Sequence, residues 1–189
     1  MTQLIEMLSE EHRNIEQLLT VLESELNVFD HCERPDYEIV QAVITYFQDY
    51  PDCFHHPKED LIFDKLKLRD PAAVASIGDL EAEHQDGSRR LERVAKAVNG
   101  ILIDQEVLRE KVDAIVRDFI DSERLHITME ERVFFPSAVR ALQPEDWADI
   151  EAKVSNPEAP LFDKVSEANF NLLQQRILQW EREAEAERA

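Results

Sequence analysis

The sequence is poor in glycine and cysteine. It has only 3 glycines and 2 cysteines among 189 residues, and it contains no CxxC motif. Apolar and polar residues rarely alternate as they do in β-strands, and turn dipeptides such as Asn-Gly are rare. We therefore predict an all-α protein. Two cysteines also cannot build the disulfide framework that stabilises small secreted domains.

Basic residues are in short supply as well. The chain has 21 Lys and Arg against 41 Asp and Glu, which gives a formal net charge of −20. Such a surface repels nucleic-acid phosphates and anionic membranes. No stretch approaches the roughly 18 apolar residues of a membrane-spanning helix, and the start, MTQLIEMLSEEH, lacks the apolar core of a signal peptide. We therefore expect a soluble, cytoplasmic protein with no nucleic-acid partner and no membrane partner.

Apolar residues recur at spacings of three and four in four long segments, which is the pattern of amphipathic helices. We predict helices over residues 2–29, 36–69, 78–102 and 104–142. Asp36 is expected to cap the second helix, which Pro51 and Pro57 should distort, and Pro136 should kink the fourth helix near its end. Four long helices joined by short loops predict an up-down-up-down four-helix bundle.

The remaining chain is expected to add C-terminal helices to this bundle. We assign residues 1–142 to the bundle and residues 143–189 to a helical extension. The extension should contain a short helix, EDWADIEAKV, a linker, SNPEAP, and an amphipathic helix over residues 161–183. It would pack on the bundle or mediate self-association, in which case the protein would form a homodimer.

The two halves of the predicted bundle repeat one pattern of histidine and glutamate. SEEH at 9–12 is matched by EAEH at 81–84, and HHPKED at 55–60 is matched by HITMEE at 126–131. Each half thus supplies one histidine from its first helix and one His-x-x-x-Glu motif from its second. The repeated set is His12, His55, Glu59, His84, His126 and Glu130.

This set has the chemistry of a metal site. Residues i and i+4 project from the same face of a helix, so both members of each motif can point toward the bundle axis. Four imidazoles and two carboxylates suit iron or another borderline metal, and carboxylates can bridge two metals. A single histidine on an apolar face is more often a hydrogen-bonded core residue, and a merely hydrogen-bonded polar core is the alternative interpretation. The symmetric repetition favours the metal site.

Four further features are interpreted separately. His56 follows His55 and points about 100° away on an ideal helix, but a distortion at Pro57 would change that direction, so His56 is a reserve ligand that would replace or supplement His55. Cys53 is interpreted as a buried structural cysteine. The acidic runs are interpreted as solvated helix faces, and His31 as a loop residue without a role in the site.

The motifs together resemble those of hemerythrin-like proteins of the HHE cation-binding family. The residues that carry the resemblance are EEH at 10–12, HHPKEDLIF at 55–63, EAEH at 81–84 and HITMEERVFFP at 126–136. The resemblance covers about residues 1–142 and implies a non-haem di-iron centre with an oxo or hydroxo bridge. It implies that Glu59 and Glu130 bridge the irons, with His12 and His55 on one iron and His84 and His126 on the other. Zinc or manganese are possible substitutes.

The departures from oxygen-carrying hemerythrins shape the expected function. Those proteins have a fifth histidine one turn after the third-helix ligand, where this chain has Ser88, and they end in HxxxxD rather than HxxxE. We expect a protein that binds, senses or reduces oxygen, peroxide or nitric oxide. The alternatives are a non-catalytic metal- or oxygen-sensing or iron-handling module, and a stress protein resembling those that repair iron centres. Whether the protein is an enzyme stays open at this point, and no residue is assigned as catalytic.

Overall fold

The computed structural model describes residues 2–155 and 164–188. Within these ranges the protein is helical and contains no β-strand, which confirms the predicted all-α class. Two five-residue π-helical segments, π1 (Pro51–His55) and π2 (Glu130–Phe134), interrupt two of the long helices. The α-helices are α1 (Gln3–Asp30), α2 (Tyr37–Tyr50), α3 (His56–Arg69), α4 (Pro71–Ile77), α5 (Leu80–Leu102), α6 (Arg109–Met129), α7 (Phe135–Ala141), α8 (Pro144–Val154) and α9 (Lys164–Arg188).

Four rods make the bundle: α1, α2–π1–α3, α5 and α6–π2–α7. They pack in a ring, with α1 against α2 and α6, and α5 against α2 and α6. Side chains cap their starts. Thr2 accepts from the Ile5 amide, and Asp36 accepts from the amides of Glu38 and Ile39, as predicted for that position. The four-helix bundle predicted from the sequence is therefore confirmed.

The predicted start of the fourth helix at residue 104 is wrong. Asp104 has φ 54°, in the left-handed region, and its amide donates to the Ile101 carbonyl. The chain is still turning there, so α6 begins only at Arg109. Leu108, which fits the apolar spacing of the predicted helix, is 77% exposed. The third helix ends at Leu102, where the sequence predicts its end.

A polar layer divides the interior into two apolar clusters. The first fills the end of the bundle around Leu19, Phe47, Val94 and Phe119. The second fills the opposite end around Leu8, Ile62, Leu66 and Phe134. Every rod contributes apolar residues to both clusters. On each rod, the repeated histidine or glutamate lies between the residues of the first cluster and those of the second. The bundle therefore encloses these polar side chains between two water-excluding layers.

Both π segments end two residues before a proline. π1 ends at His55, before Pro57, and π2 ends at Phe134, before Pro136. Proline has no N–H to donate to the carbonyl four residues earlier, and its ring crowds that carbonyl, so the regular α-helical bonding fails there. The amides of His56 and Phe135 donate instead to carbonyls five residues back. The expected distortion of the second helix is present, and the distortion of the fourth lies before Pro136 rather than at it.

The last helix packs on the bundle against α1 and α2. The Phe170 ring centroid lies 5.7–5.9 Å from those of Tyr46, Tyr50 and Phe54. Ile177 of the same helix is fully buried. Of the predicted linker at 155–160, residues 156–160 lie outside the described ranges, as do residues 161–163 of the predicted final helix. The proposed division at residue 142 stays a prediction.

α8 packs against α3, where the Arg69 guanidinium forms a two-pronged contact with the carboxylate of Asp146. Asp146 also accepts from the Gln143 amide at the start of α8. No helix in the described part of the chain is both long and apolar enough to cross a membrane.

Ile177→Ala tests whether α9 is part of the folded unit. Ile177 is 0% exposed, so its truncation should lower the free energy of unfolding by about 2–4 kcal/mol through lost burial and a cavity. Urea denaturation would measure the difference. Leu172→Ala on the same helix is the matched control, because Leu172 is 58% exposed and its truncation should have little effect. Equal, small effects of both substitutions would show that α9 does not pack on the bundle in solution.

Candidate metal centre

The six residues of the repeated pattern meet in the polar layer. α1 contributes His12, π1 and α3 contribute His55 and Glu59, α5 contributes His84, and α6 and π2 contribute His126 and Glu130. Glu59 and Glu130 are both 0% exposed. His12, His55 and His84 are buried as well, and His126 is partly buried. The structure therefore brings together all six side chains that the sequence singled out.

The two carboxylates lie between two pairs of histidines. Glu59 places Oε1 3.3 Å from His55 Nε2 and 3.5 Å from His12 Nε2, whereas its Oε2 lies 3.5 Å from His84 Nε2. Glu130 places Oε2 3.2 Å from His12 Nε2, and its Oε1 lies 3.1 Å from His126 Nε2. Each carboxylate thus presents one oxygen to each end of the centre, which is the arrangement of a bridging ligand.

Three further carboxylates hold the imidazoles from behind. His12 Nδ1 donates to Glu131 at 2.8 Å, His55 Nδ1 donates to Glu11 at 2.8 Å, and His126 Nδ1 donates to Glu83 at 3.0 Å. A carboxylate can only accept, so each of these Nδ1 atoms carries the proton and Nε2 is left to face the centre. The interpretation of the acidic runs as solvated faces is therefore wrong for Glu11, which is buried.

Glu11 connects the centre to the last helix. Its second oxygen accepts from the ammonium of Lys58 at 2.5 Å, and Lys58 is itself buried. The same ammonium donates to Glu167 of α9 at 3.1 Å. A continuous chain of polar contacts therefore runs from the His55 ring to α9.

His56 lies at the opposite end from His12. Its ring stacks on that of His84, with centroids 3.7 Å apart and planes 8° from parallel. Ligand atoms of His56, His84 and His126 all lie within 4.8 Å of one another. A second such group comprises His12, His55, Glu59 and Glu130. Cys53 is exposed, so its interpretation as a buried cysteine is wrong.

The histidines and carboxylates at the centre stabilise each other's charges. Burial alone would lower the pKa of His12, but the nearby carboxylates of Glu130 and Glu131 outweigh it and raise this pKa to about 11. The same balance raises the pKa of His126 to about 11 and that of His55 to about 9. Burial would raise the pKa of Glu130, but the surrounding imidazoles hold it well below its ordinary value. The centre therefore stabilises positive charge between its carboxylates.

Several polar atoms at the centre have no partner among the described residues. All four carboxylate oxygens of Glu59 and Glu130, and the Nε2 atoms of His84 and His126, are buried without a hydrogen bond in suitable geometry. Buried polar atoms are normally paired, because an unpaired one costs about 1–3 kcal/mol. Coordination to a cation would use these oxygens and nitrogens, and the donor set is of the kind that first-row metals accept. The residues present fit a metal.

A small cavity adjoins the centre on the side of His84 and His126. Its volume is about 20 Å³, enough for about one water molecule. Phe47, Leu91 and Phe119 form apolar parts of its wall. Gly87 leaves room for Glu123 there, since a Cβ at residue 87 would lie 2.7 Å from Glu123 Oε1. Burial raises the pKa of Glu123.

Comparison with known families matches residues 3–138 to the Hemerythrin HHE cation binding domain. The matched range runs from α1 into α7 and contains every residue of the centre. Searches of curated proteins and of solved structures gave no significant match.

Insertion of an alanine after Cys53 tests whether π1 sets the register of the site. π1 already accommodates one extra residue, so a second one should rotate α3 by about 100° against α2. Phe47 and Ile62, which pack in opposite apolar clusters, could not then both stay buried. We expect a loss of about 3–5 kcal/mol in the free energy of unfolding, as for a large core truncation, measured by urea denaturation. Cys53→Ala is the control and should be near neutral, and an insertion variant as stable as this control would contradict the role of π1.

Proposed function

The chain belongs to the hemerythrin HHE cation-binding domain family, and from that premise we propose that it holds a di-iron centre which binds or reduces a small ligand. The ligand would be oxygen, peroxide or nitric oxide. Glu59 and Glu130 would bridge the metals, His12 and His55 would bind one, and His84 and His126 would bind the other. The observation that carries this proposal is the position of the two carboxylates, each with one oxygen toward either pair of histidines.

The residues around the centre support iron rather than a simple structural cation. Imidazole and carboxylate together suit iron, whereas structural zinc is usually held by four ligands that include thiolates. Both cysteines are exposed. When bound, a pair of ferrous ions would supply electrons to a small oxidising ligand.

The protein's own contribution is to orient the ligands and to exclude water. The carboxylates of Glu11, Glu83 and Glu131 fix three imidazoles with Nε2 inward. Apolar side chains close the layer on both sides. The cavity beside His84 and His126 has room for about one water molecule, so only a very small ligand would fit there without movement of its wall.

Metal content tests the proposal directly. The wild-type chain, loaded anaerobically with ferrous iron and exposed to air, should retain about two irons per chain and show oxo-bridge absorption that bleaches on reduction. His84→Ala and Glu130→Ala each remove a ligand and should lose that absorption and at least one iron. His31→Ala is the control, because His31 is exposed and contacts only the Asn27 carbonyl in the described part of the chain. Full iron retention and an unchanged spectrum in both ligand variants would overturn the proposal.

Thermal stability distinguishes a metal site from a hydrogen-bonded polar core. A metal that binds only the folded state stabilises it by about 2.7 kcal/mol when its concentration is 100 times Kd. We therefore expect the Tm of the wild-type protein to rise on loading with iron and to fall again after chelation. An identical Tm with and without metal would support the polar-core alternative.

The Glu11–Lys58–Glu167 chain of contacts favours sensing as a second candidate function. A change in metal charge alters the field at the His55 imidazole, and Glu11 and Lys58 lie between that ring and α9. Both Glu11 and Lys58 are buried, so solvent screens this interaction poorly. The position of α9 would then depend on the oxidation state of the centre.

Limited proteolysis of α9 in the oxidised and reduced iron-loaded protein would test this candidate. The two states of the wild-type protein should differ in cleavage rate within α9. Glu167→Gln removes the charge that Lys58 contacts and should reduce that difference. Glu183→Gln is the control on the same helix, since Glu183 accepts only from Gln179 in the described chain. Equal cleavage of both oxidation states in the wild type would exclude sensing through α9.

A further inference from the structure

His56 is the one histidine near the centre to which the repeated pattern assigns no place. On a regular helix it would point about 100° from His55. His56 lies directly after π1 and before Pro57, and its ring reaches the α5 side of the bundle. It lies against His84 and approaches His126, with ring centroids 3.7 Å and 6.5 Å away.

The His56 ring is oriented in the same way as the other imidazoles of the centre. Its Nδ1 donates to the Asp52 carboxylate at 2.9 Å. Asp52 lies one turn earlier, within π1, so the segment that turns His56 inward also holds its outer nitrogen. Nε2 is the nitrogen left to bind a cation. This repeats the contacts of His12 with Glu131, which fix Nδ1 outward and Nε2 inward.

The two ends of the centre otherwise have unequal surroundings. His12 and His55 have their Nε2 atoms 3.0 Å apart, and both Nε2 atoms lie within 3.5 Å of Glu59 Oε1. At the other end, His84 is the only residue that α5 directs at the centre. Ser88, one turn later on α5, donates its hydroxyl to the His84 carbonyl. A third nitrogen at this end can therefore come only from α3 among the elements that face it in the described structure.

We propose that His56 is a third imidazole ligand at the His84–His126 end, so that the two metals have unequal nitrogen coordination. This inference rests on the di-iron centre proposed above. The ligand atoms of His56, His84 and His126 already lie within 4.8 Å of one another. A metal–nitrogen bond of about 2.1 Å lets two ligand atoms lie up to about 4 Å apart. To bind the same metal as His84, the His56 ring would tilt out of its parallel stack on His84, because an imidazole lone pair lies in the ring plane. The end with three imidazoles should hold its metal more tightly than the end with two.

His56→Phe separates coordination from packing. Phenylalanine keeps a flat ring that can stack on His84 but has no nitrogen. In the iron-loaded mixed-valence protein, electron-nuclear double resonance should detect fewer coordinated imidazole nitrogens than in the wild type. Stepwise chelation should remove the two irons of the wild type in distinct phases, with the slower phase accelerated at least tenfold in the variant. His31→Phe is the matched control and should leave both measurements unchanged.

The outcomes separate this inference from the function on which it rests. A wild-type protein that fails to bind two irons would overturn the di-iron centre itself. A wild type with two irons, together with a His56→Phe variant of unchanged nitrogen signals and chelation phases, would overturn only the role of His56 and leave it as a stacking residue. His56→Gly provides a second variant, in which added imidazole should restore the wild-type nitrogen signals. Failure of that restoration in a folded, two-iron variant would also count against coordination.

Discussion

Two glutamates facing each other in an apolar interior are the constraint on which the rest of this structure depends. Glu59 and Glu130 are fully buried, and their four oxygens lack hydrogen-bond donors within the described chain. A pair of buried like charges is costly unless positive charge lies between them. The side chains that would hold this positive charge come from all four rods, because each rod contributes one imidazole of the repeated set. The register of the helices is therefore set by the centre as much as by the apolar clusters on either side.

The π segments show how one sequence can both direct the polar side chains at the centre and bury the apolar stripes on either side of it. An unbroken α-helix through HHPKED could not keep the apolar stripe of α2 and that of α3 on the same side while also turning two adjacent histidines toward the axis. One extra residue before Pro57 corrects the phase, and the same device precedes Pro136 in the other half. The energetic cost of the irregular backbone is offset by contacts on both sides of it, which is why π segments are often found at functional sites.

The sequence predicts the bundle and the meeting of the six residues because both follow from spacing alone. It does not predict what holds the imidazoles from behind. Glu11, Glu83 and Glu131 look like the acidic residues that cover any exposed helix, and only the angle between packed helices shows that they point at a ring. The sequence leaves His56 as a reserve ligand for a related reason, because residue spacing does not show how Pro57 changes the direction of its ring. The late start of α6 depends on the left-handed conformation of Asp104, which sequence spacing does not reveal.

The two ends of the centre are suited to different tasks. At the α5 and α6 end a cavity reaches His84 and His126, so the proposed small ligand would meet imidazoles from helices that form no ion pair with α9 among the described residues. At the α1 and α3 end the polar contacts continue outward through buried Lys58 to a helix on the surface. With the proposed metals bound, charge added or removed at the first end would be shared across the two carboxylates, because each has one oxygen toward either end. Binding of the proposed ligand on one side of the bundle would then change the electrostatic field on the other.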